Sequence, residues 1–387
     1  MALQDVIKDI EGYQDIVRER EILMKYGSDL MHLKGTTEKI IATLHPRQIR
    51  LTVSEVRPET SSAKTLRLVA REGILPPFQA GQYINLFADV GGIRTSRPYS
   101  ISSSPDQTGY YDVTIRRVED GFVSNYFLDE VKPGDEITSS GPSGNFYYNP
   151  IFHGDDLVFI AGGSGITPFM SMIQDIADRG LTARRVHLIY GSKDPSDIIF
   201  HERLQDIAQR HPNISYTPVI SEPSKGYKGK KGFITATLLK EILGDLSTKT
   251  FYLCGPEVMY TFCLKELESL GIKKRKIRVE VFGPPRDVTL QPGWPEGILP
   301  EEKFIVQLKN GKTIHAVAGE SLMTSLERNG LVIPALCRSG ECSLCRTKLL
   351  SGKVYHPQGV KLRKSDRDYG YIHPCMAYPL EDLQLMI

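Results

Sequence analysis

The chain has 387 residues, 40% apolar and 24% charged, with a formal net charge of +2. Those proportions belong to an ordinary globular protein of roughly two to four domains. The near-neutral balance gives no case for nucleic acid or an anionic membrane surface, and no run approaches the roughly 18 apolar residues of a membrane span. The opening residues, Met1-Ala2-Leu3-Gln4-Asp5, have neither the basic nor the apolar region of an export signal. Six cysteines, four of them clustered by spacing, make a poor disulfide framework and predict a reducing cytoplasm.

Residues 1–45 carry Leu3, Val6, Ile7, Ile10, Tyr13, Ile16 and Val17 at helical spacing, with charged residues on the other face. A second apolar stripe runs from Leu30 to Leu44 and stops before Pro46. This segment reads as a helical extension, either a cap on the main body or a docking element for a dimer or a partner.

At Ile49 the rhythm changes to period two. Ile49, Leu51 and Val53 alternate with polar neighbours, Leu66 and Leu68 do the same, and Tyr83, Ile84, Leu86 and Phe87 form an apolar run. Further strands are predicted at Tyr111–Val118 and Asp135–Ser139, with turns at Gly91-Gly92, Asp120-Gly121 and Pro133-Gly134. Short strands punctuated this often predict an antiparallel barrel over 46–150. Over 151–283 the pattern becomes strand–helix alternation. Leu157–Ala161 is an unbroken apolar strand, followed by a glycine turn and a helix through Met170, Ile173 and Ile176. Strands at Val186–Tyr190, Tyr216–Ile220 and Thr250–Cys254 alternate with helices near Glu202–Gln209, Ala236–Leu243 and Glu257–Leu270. That is the signature of a doubly wound parallel sheet in an α/β domain. Residues 284–302, rich in proline and holding the single tryptophan, Trp294, predict a semi-rigid linker. Residues 303–387 form a last unit around four cysteines.

Cys337, Cys342 and Cys345 fall in C-x4-C-x2-C spacing, and Cys375 follows thirty residues later. This is the plant-type arrangement in which four thiolates hold a 2Fe–2S cluster. Glycine and small residues between the ligands let the backbone wrap closely and aim N–H groups at sulfur. Structural zinc also takes four cysteines, but usually from paired C-x2-C knuckles, so the spacing favours iron–sulfur. Cys263, mid-helix, reads as a small buried hydrophobe.

Three further motifs carry chemistry. Arg97-Pro98-Tyr99-Ser100 ends a predicted strand and supplies a phosphate-gripping guanidinium, a flat ring and a hydroxyl. Gly121-Phe122-Val123-Ser124 is placed to open a helix whose first-turn amides suit a pyrophosphate. Gly162-Gly163-Ser164-Gly165-Ile166-Thr167-Pro168 joins a buried strand to a helix, where a dinucleotide phosphate is held, and Cys254-Gly255-Pro256 sits at another strand's C-terminal end.

Together these residues resemble the ferredoxin–NADP reductase superfamily, and within it the oxygenase-type reductases with a C-terminal plant-type ferredoxin domain. The resemblance spans about residues 46 to 387 and rests on four motifs in the family's order. It implies an FAD-binding antiparallel β-barrel, an NAD(P)-binding domain and an α+β β-grasp ferredoxin domain. It implies that Arg97, Pro98, Tyr99 and Ser100 contact the flavin and that Gly121, Val123 and Ser124 bind its phosphates. Gly162, Gly163, Gly165, Thr167, Pro168, Cys254, Gly255 and Pro256 would hold the nicotinamide dinucleotide. Ser100, Thr167, Cys254 and Glu280 would surround the reacting rings, and Phe282 would close the nicotinamide face of the flavin. Gly141-Pro142-Ser143-Gly144-Asn145-Phe146 resembles the segment of FAD members, favouring FAD over FMN. The choice between NADH and NADPH stays open, because Lys193 admits a 2′-phosphate and no acidic residue within Tyr190-Gly191-Ser192-Lys193 selects NADH. The implied function is passage of electrons from NAD(P)H through FAD and a 2Fe–2S cluster to a partner protein such as an oxygenase. The competing reading is an electron-transfer or redox-sensing subunit without turnover of its own.

Overall fold

The computed structural model describes residues 12–26, 35–44 and 46–387. Helices α1 (Tyr13–Tyr26) and α2 (Thr36–Leu44) belong to a unit of their own, Met1–Pro46. The predicted apolar positions Leu3, Val6, Ile7 and Ile10, and the start of the second stripe, lie outside the described residues. Within these helices Tyr13 and Val17 are half-buried, whereas Ile16, Leu23, Ile40 and Ile41 are exposed.

Residues from Arg47 to Ile387 form the second unit. It begins with six antiparallel strands: β1 (Ile49–Pro58), β2 (Ala63–Ala70), β3 (Tyr83–Val90), β4 (Ile93–Ser100), β5 (Tyr111–Arg116) and β6 (Glu136–Ser139). Their order is β4-β3-β6-β1-β2-β5, and a bridge between Ile101 and Val113 closes the two edges into a barrel. Period-two patterning fills the interior, since Leu51, Val53, Leu66, Leu68, Ile84 and Leu86 all point into it and are fully buried. Helix α3 (Phe122–Asp129) plugs the barrel with Val123, Phe127 and Leu128. Strand β4 is an edge, where Pro98 removes no ladder bond that the sheet needs.

The next layer is a wholly parallel sheet of β7 (Asp156–Gly162), β8 (Arg185–Ser192), β9 (Ile214–Ile220), β10 (Lys230–Lys231), β11 (Thr250–Cys254) and β12 (Ile277–Glu280). Helices α4 (Thr167–Asp178), α5 (His201–Arg210), α6 (Ala236–Leu243) and α7 (Glu257–Ser269) cover it. The strand order is β10-β9-β8-β7-β11-β12. The chain therefore winds outward from β7 through β8 and β9, then returns to place β11 on the other side of β7. That reversal opens a crevice at the C-terminal ends of β7 and β11. Both strands are buried on both faces, with each large apolar side chain contributing about 1.5–3 kcal/mol. Strand β12 escaped the sequence reading because it is short and only half-buried.

The last unit is a mixed sheet of β13 (Lys303–Leu308), β14 (Thr313–Val317), β15 (Thr347–Ser351), β17 (Tyr371–Ile372) and β19 (Leu383–Met386), in the order β14-β13-β19-β15-β17. A small separate pair joins β16 (Val354–Tyr355) to β18 (Tyr378–Pro379). Strands β13 and β19 run parallel and the other pairs antiparallel. Helix α8 (Leu322–Arg328) packs Leu322, Met323 and Leu326 across this β-grasp sheet. The preceding linker is pinned, not loose. Trp294 lies edge-on to Tyr355 at 5.3 Å, the Tyr355 hydroxyl donates to Pro292 O at 3.0 Å, and Gln291 Nε2 donates to Glu257 of α7 at 2.6 Å.

Candidate functional site

A cleft of about 410 Å³ lies where the three layers meet. One wall is the end of β4. Arg97, Pro98, Tyr99 and Ser100 all line the cleft, and Tyr99 is braced edge-on by Phe127 at 5.9 Å. Ser100 Oγ is buried and has no hydrogen-bond partner, an arrangement that costs about 1–3 kcal/mol unless a ligand relieves it. Arg97 donates to Thr95 Oγ1 at 2.8 Å and Ser96 O at 2.7 Å but meets no carboxylate. Burial, and then the like charge of Arg338, lower its guanidinium to about 10. The site therefore favours an anion brought in by a ligand. Gly121, Phe122, Val123 and Ser124 form the adjoining rim. Gly121 is the N-cap of α3 and no side chain caps it, so first-turn amides remain available. These groups fit a flavin nucleotide: a hydroxyl for the ring, a ring to lie against it, and cationic and amide donors for phosphate.

The opposite wall comes from the crevice of the parallel sheet. Ser164 and Thr167 line the cleft, with the Thr167 hydroxyl donating to Ser164 O at 3.0 Å. The glycines behind them are required by close contact. Gly163 has φ +52°, and a Cβ on Gly165 would strike the carbonyl of Cys254 and lie 2.6 Å from Gly255 N. The loop after β7 and the Cys254-Gly255-Pro256 turn after β11 thus touch, as the strand order demands. Pro168 is buried in the first turn of α4. Cys254 is fully buried, and burial pushes its thiol well above the ordinary range, so it remains protonated. Glu280 pairs with Cys254 across β11 and β12. Burial raises its carboxyl to about 8, and Glu341 and Cys337 add to the effect. Gly162, Gly163, Gly165, Pro168, Cys254, Gly255, Pro256 and Glu280 do not line this cleft, whereas Phe282 does.

The third side is the cysteine unit. Its thiols fall two by two: Cys345 and Cys375 Sγ are 3.4 Å apart, and the neighbouring Cys342 side chain lowers the titration of the Cys337 thiol. Backbone amides of Ser339, Glu341 and Cys342 aim at Cys337 Sγ at 3.5, 3.4 and 3.3 Å. In each pair the neighbouring thiol biases one sulfur, Cys337 or Cys345, toward the thiolate that binds metal. No three acid, cysteine or histidine side chains converge on one point among the described residues. Two thiol pairs suit a two-iron cluster with two thiolates per iron better than one tetrahedral zinc. Cys375 also lines the cleft, beside the end of β4.

The cleft further includes Arg116, Pro284, Ser321, Met323, Thr324 and Arg338, which sequence reasoning did not assign. Arg338 had a signal, being inside the cysteine loop, while Met323 and Thr324 had none. Lys193 meets an acid that lies outside its own sequence segment, because Glu222, just past the end of β9, lies 3.4 Å from its ammonium.

Comparison with known proteins agrees with this geometry. Residues 52–148 match the oxidoreductase FAD-binding domain, 159–265 the oxidoreductase NAD-binding domain, and 306–380 the 2Fe–2S iron-sulfur cluster binding domain. The glycine betaine monooxygenase reductase subunit of Pseudomonas aeruginosa is 30% identical over 341 residues, covering 85% of this chain and 92% of that protein. The NADH oxidoreductase HCR of Escherichia coli is 30% identical over 339 residues, covering 87% and 97%. Among solved structures, phthalate dioxygenase reductase superposes with a TM-score of 0.64 over 88% of this chain and 98% of its own, at 22% identity, and shows the same fold. The chain is an oxidoreductase. It belongs to the ferredoxin–NADP reductase superfamily, among the reductases that join FAD-, NAD- and 2Fe–2S-binding domains in one polypeptide.

Proposed function

We propose that this reductase oxidises NAD(P)H at the crevice of its parallel sheet and delivers the electrons, through FAD and the 2Fe–2S cluster, to a separate acceptor protein. The observation that carries the reading is the shared cleft, lined at once by Tyr99 and Ser100, by Ser164 and Thr167, and by Cys375. Bound together, the three groups convert a two-electron hydride donor into one-electron deliveries. The protein's work is to hold them in line and keep water out.

Ser100 Oγ would donate to the flavin ring, Arg97 and the amides of Gly121–Ser124 would hold its phosphates, and Tyr99 would flank it. The loop Gly162–Pro168 and the turn Cys254–Pro256 would seat the dinucleotide, with Thr167, Cys254 and Glu280 nearest its nicotinamide and Phe282 over the flavin. Cys337, Cys342, Cys345 and Cys375 would ligate the cluster. The name of the Pseudomonas aeruginosa relative supports an oxygenase component as acceptor, and the exposed apolar side chains of α1 and α2 would offer that acceptor a docking surface. Glu222 beside Lys193 supports NADH as the donor, since it offsets the cation that a 2′-phosphate needs. Six free cysteines suit a reducing cytoplasm. No helix among the described residues is long and apolar enough to cross a membrane.

The test is anaerobic preparation followed by assay of iron, acid-labile sulfide, FAD and NAD(P)H-dependent cytochrome c reduction. Protein holding both groups that reduces cytochrome c supports the reading. Protein holding both that leaves NADH and NADPH untouched sinks it.

A further inference from the structure

Two cations and one carboxylate meet where the cysteine loop touches the barrel. Arg338 follows Cys337 and is 5% exposed, and Glu327 of α8 is 4% exposed. Arg338 pairs with Glu327, with Nη1 donating to Oε2 at 3.2 Å. Its Nη2 also donates to Thr95 Oγ1 of β4 at 3.2 Å. The Thr95 hydroxyl in turn donates to Glu327 Oε2 at 2.9 Å and accepts from Arg97 Nη1 at 2.8 Å. One threonine hydroxyl thus ties the barrel's arginine to the arginine of the cysteine loop. Beside it, Asn85 Nδ2 of β3 donates to Ala335 O at 2.8 Å across the same seam.

Glu327 balances one of the two guanidinium charges and leaves the other without a counter-ion, an expensive state for buried groups. Arg338 Nε is buried with no partner, and Arg338 lines the cleft together with Ser100, whose hydroxyl is also unpartnered. Missing here are one negative charge and acceptors for these donors.

We propose that Arg338 is a phosphate-binding residue of the flavin site, its Nε–H meeting an anionic phosphate oxygen of the nucleotide that Arg97 holds from the barrel. This rests on the functional reading above. The flavin is then gripped by both domains, so its occupancy and the docking of the cysteine unit are linked and each strengthens the other.

The test titrates FAD into flavin-stripped, iron-loaded protein and follows the quenching of flavin fluorescence, comparing wild type with Arg338→Lys. Lysine keeps a cation for Glu327 but lacks the Nε–H and the planar fork. The expected result is a dissociation constant raised about tenfold by loss of one charge-assisted bond. Amide exchange supplies a second readout: FAD slows exchange in β4 and residues 335–338 of wild type, and this slowing is lost in the variant. A constant within about twofold of wild type, with the FAD-dependent slowing intact, overturns the proposal. Should Arg338→Lys fail to load iron, Glu327→Gln/Arg338→Gln puts a neutral pair capable of hydrogen bonding at the same seam, without the Nε–H, and is read identically. Wild-type protein that binds no FAD would instead sink the functional reading, so the two failures are distinct.

Discussion

The barrel wall and the cysteine loop face one cleft but are finished to different degrees. On the wall, Ser100 Oγ has no partner and Arg97 has no carboxylate of its own. In the loop, three amides already point at Cys337 Sγ and the thiols are already paired. A molecule that arrives as a unit must find its donors free. A cluster enclosed by its own loop can have its sulfur contacts prewired by the backbone. On the proposed reading the first region is a binding site and the second a cage, and mutation should separate them.

The largest effect is expected from Cys345→Ser, which removes one thiolate from the buried pair. Cytochrome c reduction should fall about 100-fold or more, while NAD(P)H-driven ferricyanide reduction at the flavin is retained. Parallel loss of both activities, measured on protein with full FAD content, would break the distinction between site and cage. Gly165→Ala comes next. Its new methyl group meets the Cys254 carbonyl and Gly255 N, backbone atoms that cannot swing aside. Thermal or urea unfolding should show a loss of about 1–3 kcal/mol, and steady-state kinetics a KM for the nicotinamide raised about tenfold, with FAD content unchanged. The smallest effect is Glu222→Gln. Freeing an exposed lysine from an exposed acid should lower the KM for NADPH about two- to fivefold and leave that for NADH nearly unchanged. Equal KM values for NADPH in the two proteins would remove Glu222 from the account of nucleotide choice.

The same contrast explains what could be read before the fold was known. The cysteine loop is local in sequence, so its spacing alone conveyed its chemistry. The strand ends at Ala161-Gly162 and Cys254 were legible because unbroken apolar runs stop there, and the crevice follows from strand order. Met323 and Thr324 were not legible as parts of the cleft, and Arg338 was marked only by its place in the cysteine loop, since all three reach the cleft only when α8 and that loop fold against β4. Glu222 was missed for the same reason, lying 29 residues beyond Lys193 yet just past the end of the neighbouring strand, where its N–H donates to Lys193 O at 2.9 Å. The Gly141–Phe146 segment pointed to FAD by resemblance, but it also has mechanical work here. Phe146 packs against Phe169 and Tyr252 at 5.7 and 5.4 Å, joining the barrel to the parallel sheet. No sequence pattern showed that second task.

Trp294 is the chain's single indole, and it sits against Tyr355 and Tyr378 with its Nε1 donating to Ile298 O at 3.3 Å. Evolution has thereby left an optical gauge on the pinned linker. Light absorbed at the red edge of the protein spectrum reports from that one seam alone, so a red-shifted emission would register the iron-bearing unit lifting off while the rest of the molecule stays folded. The moment of release can be timed without attaching any label.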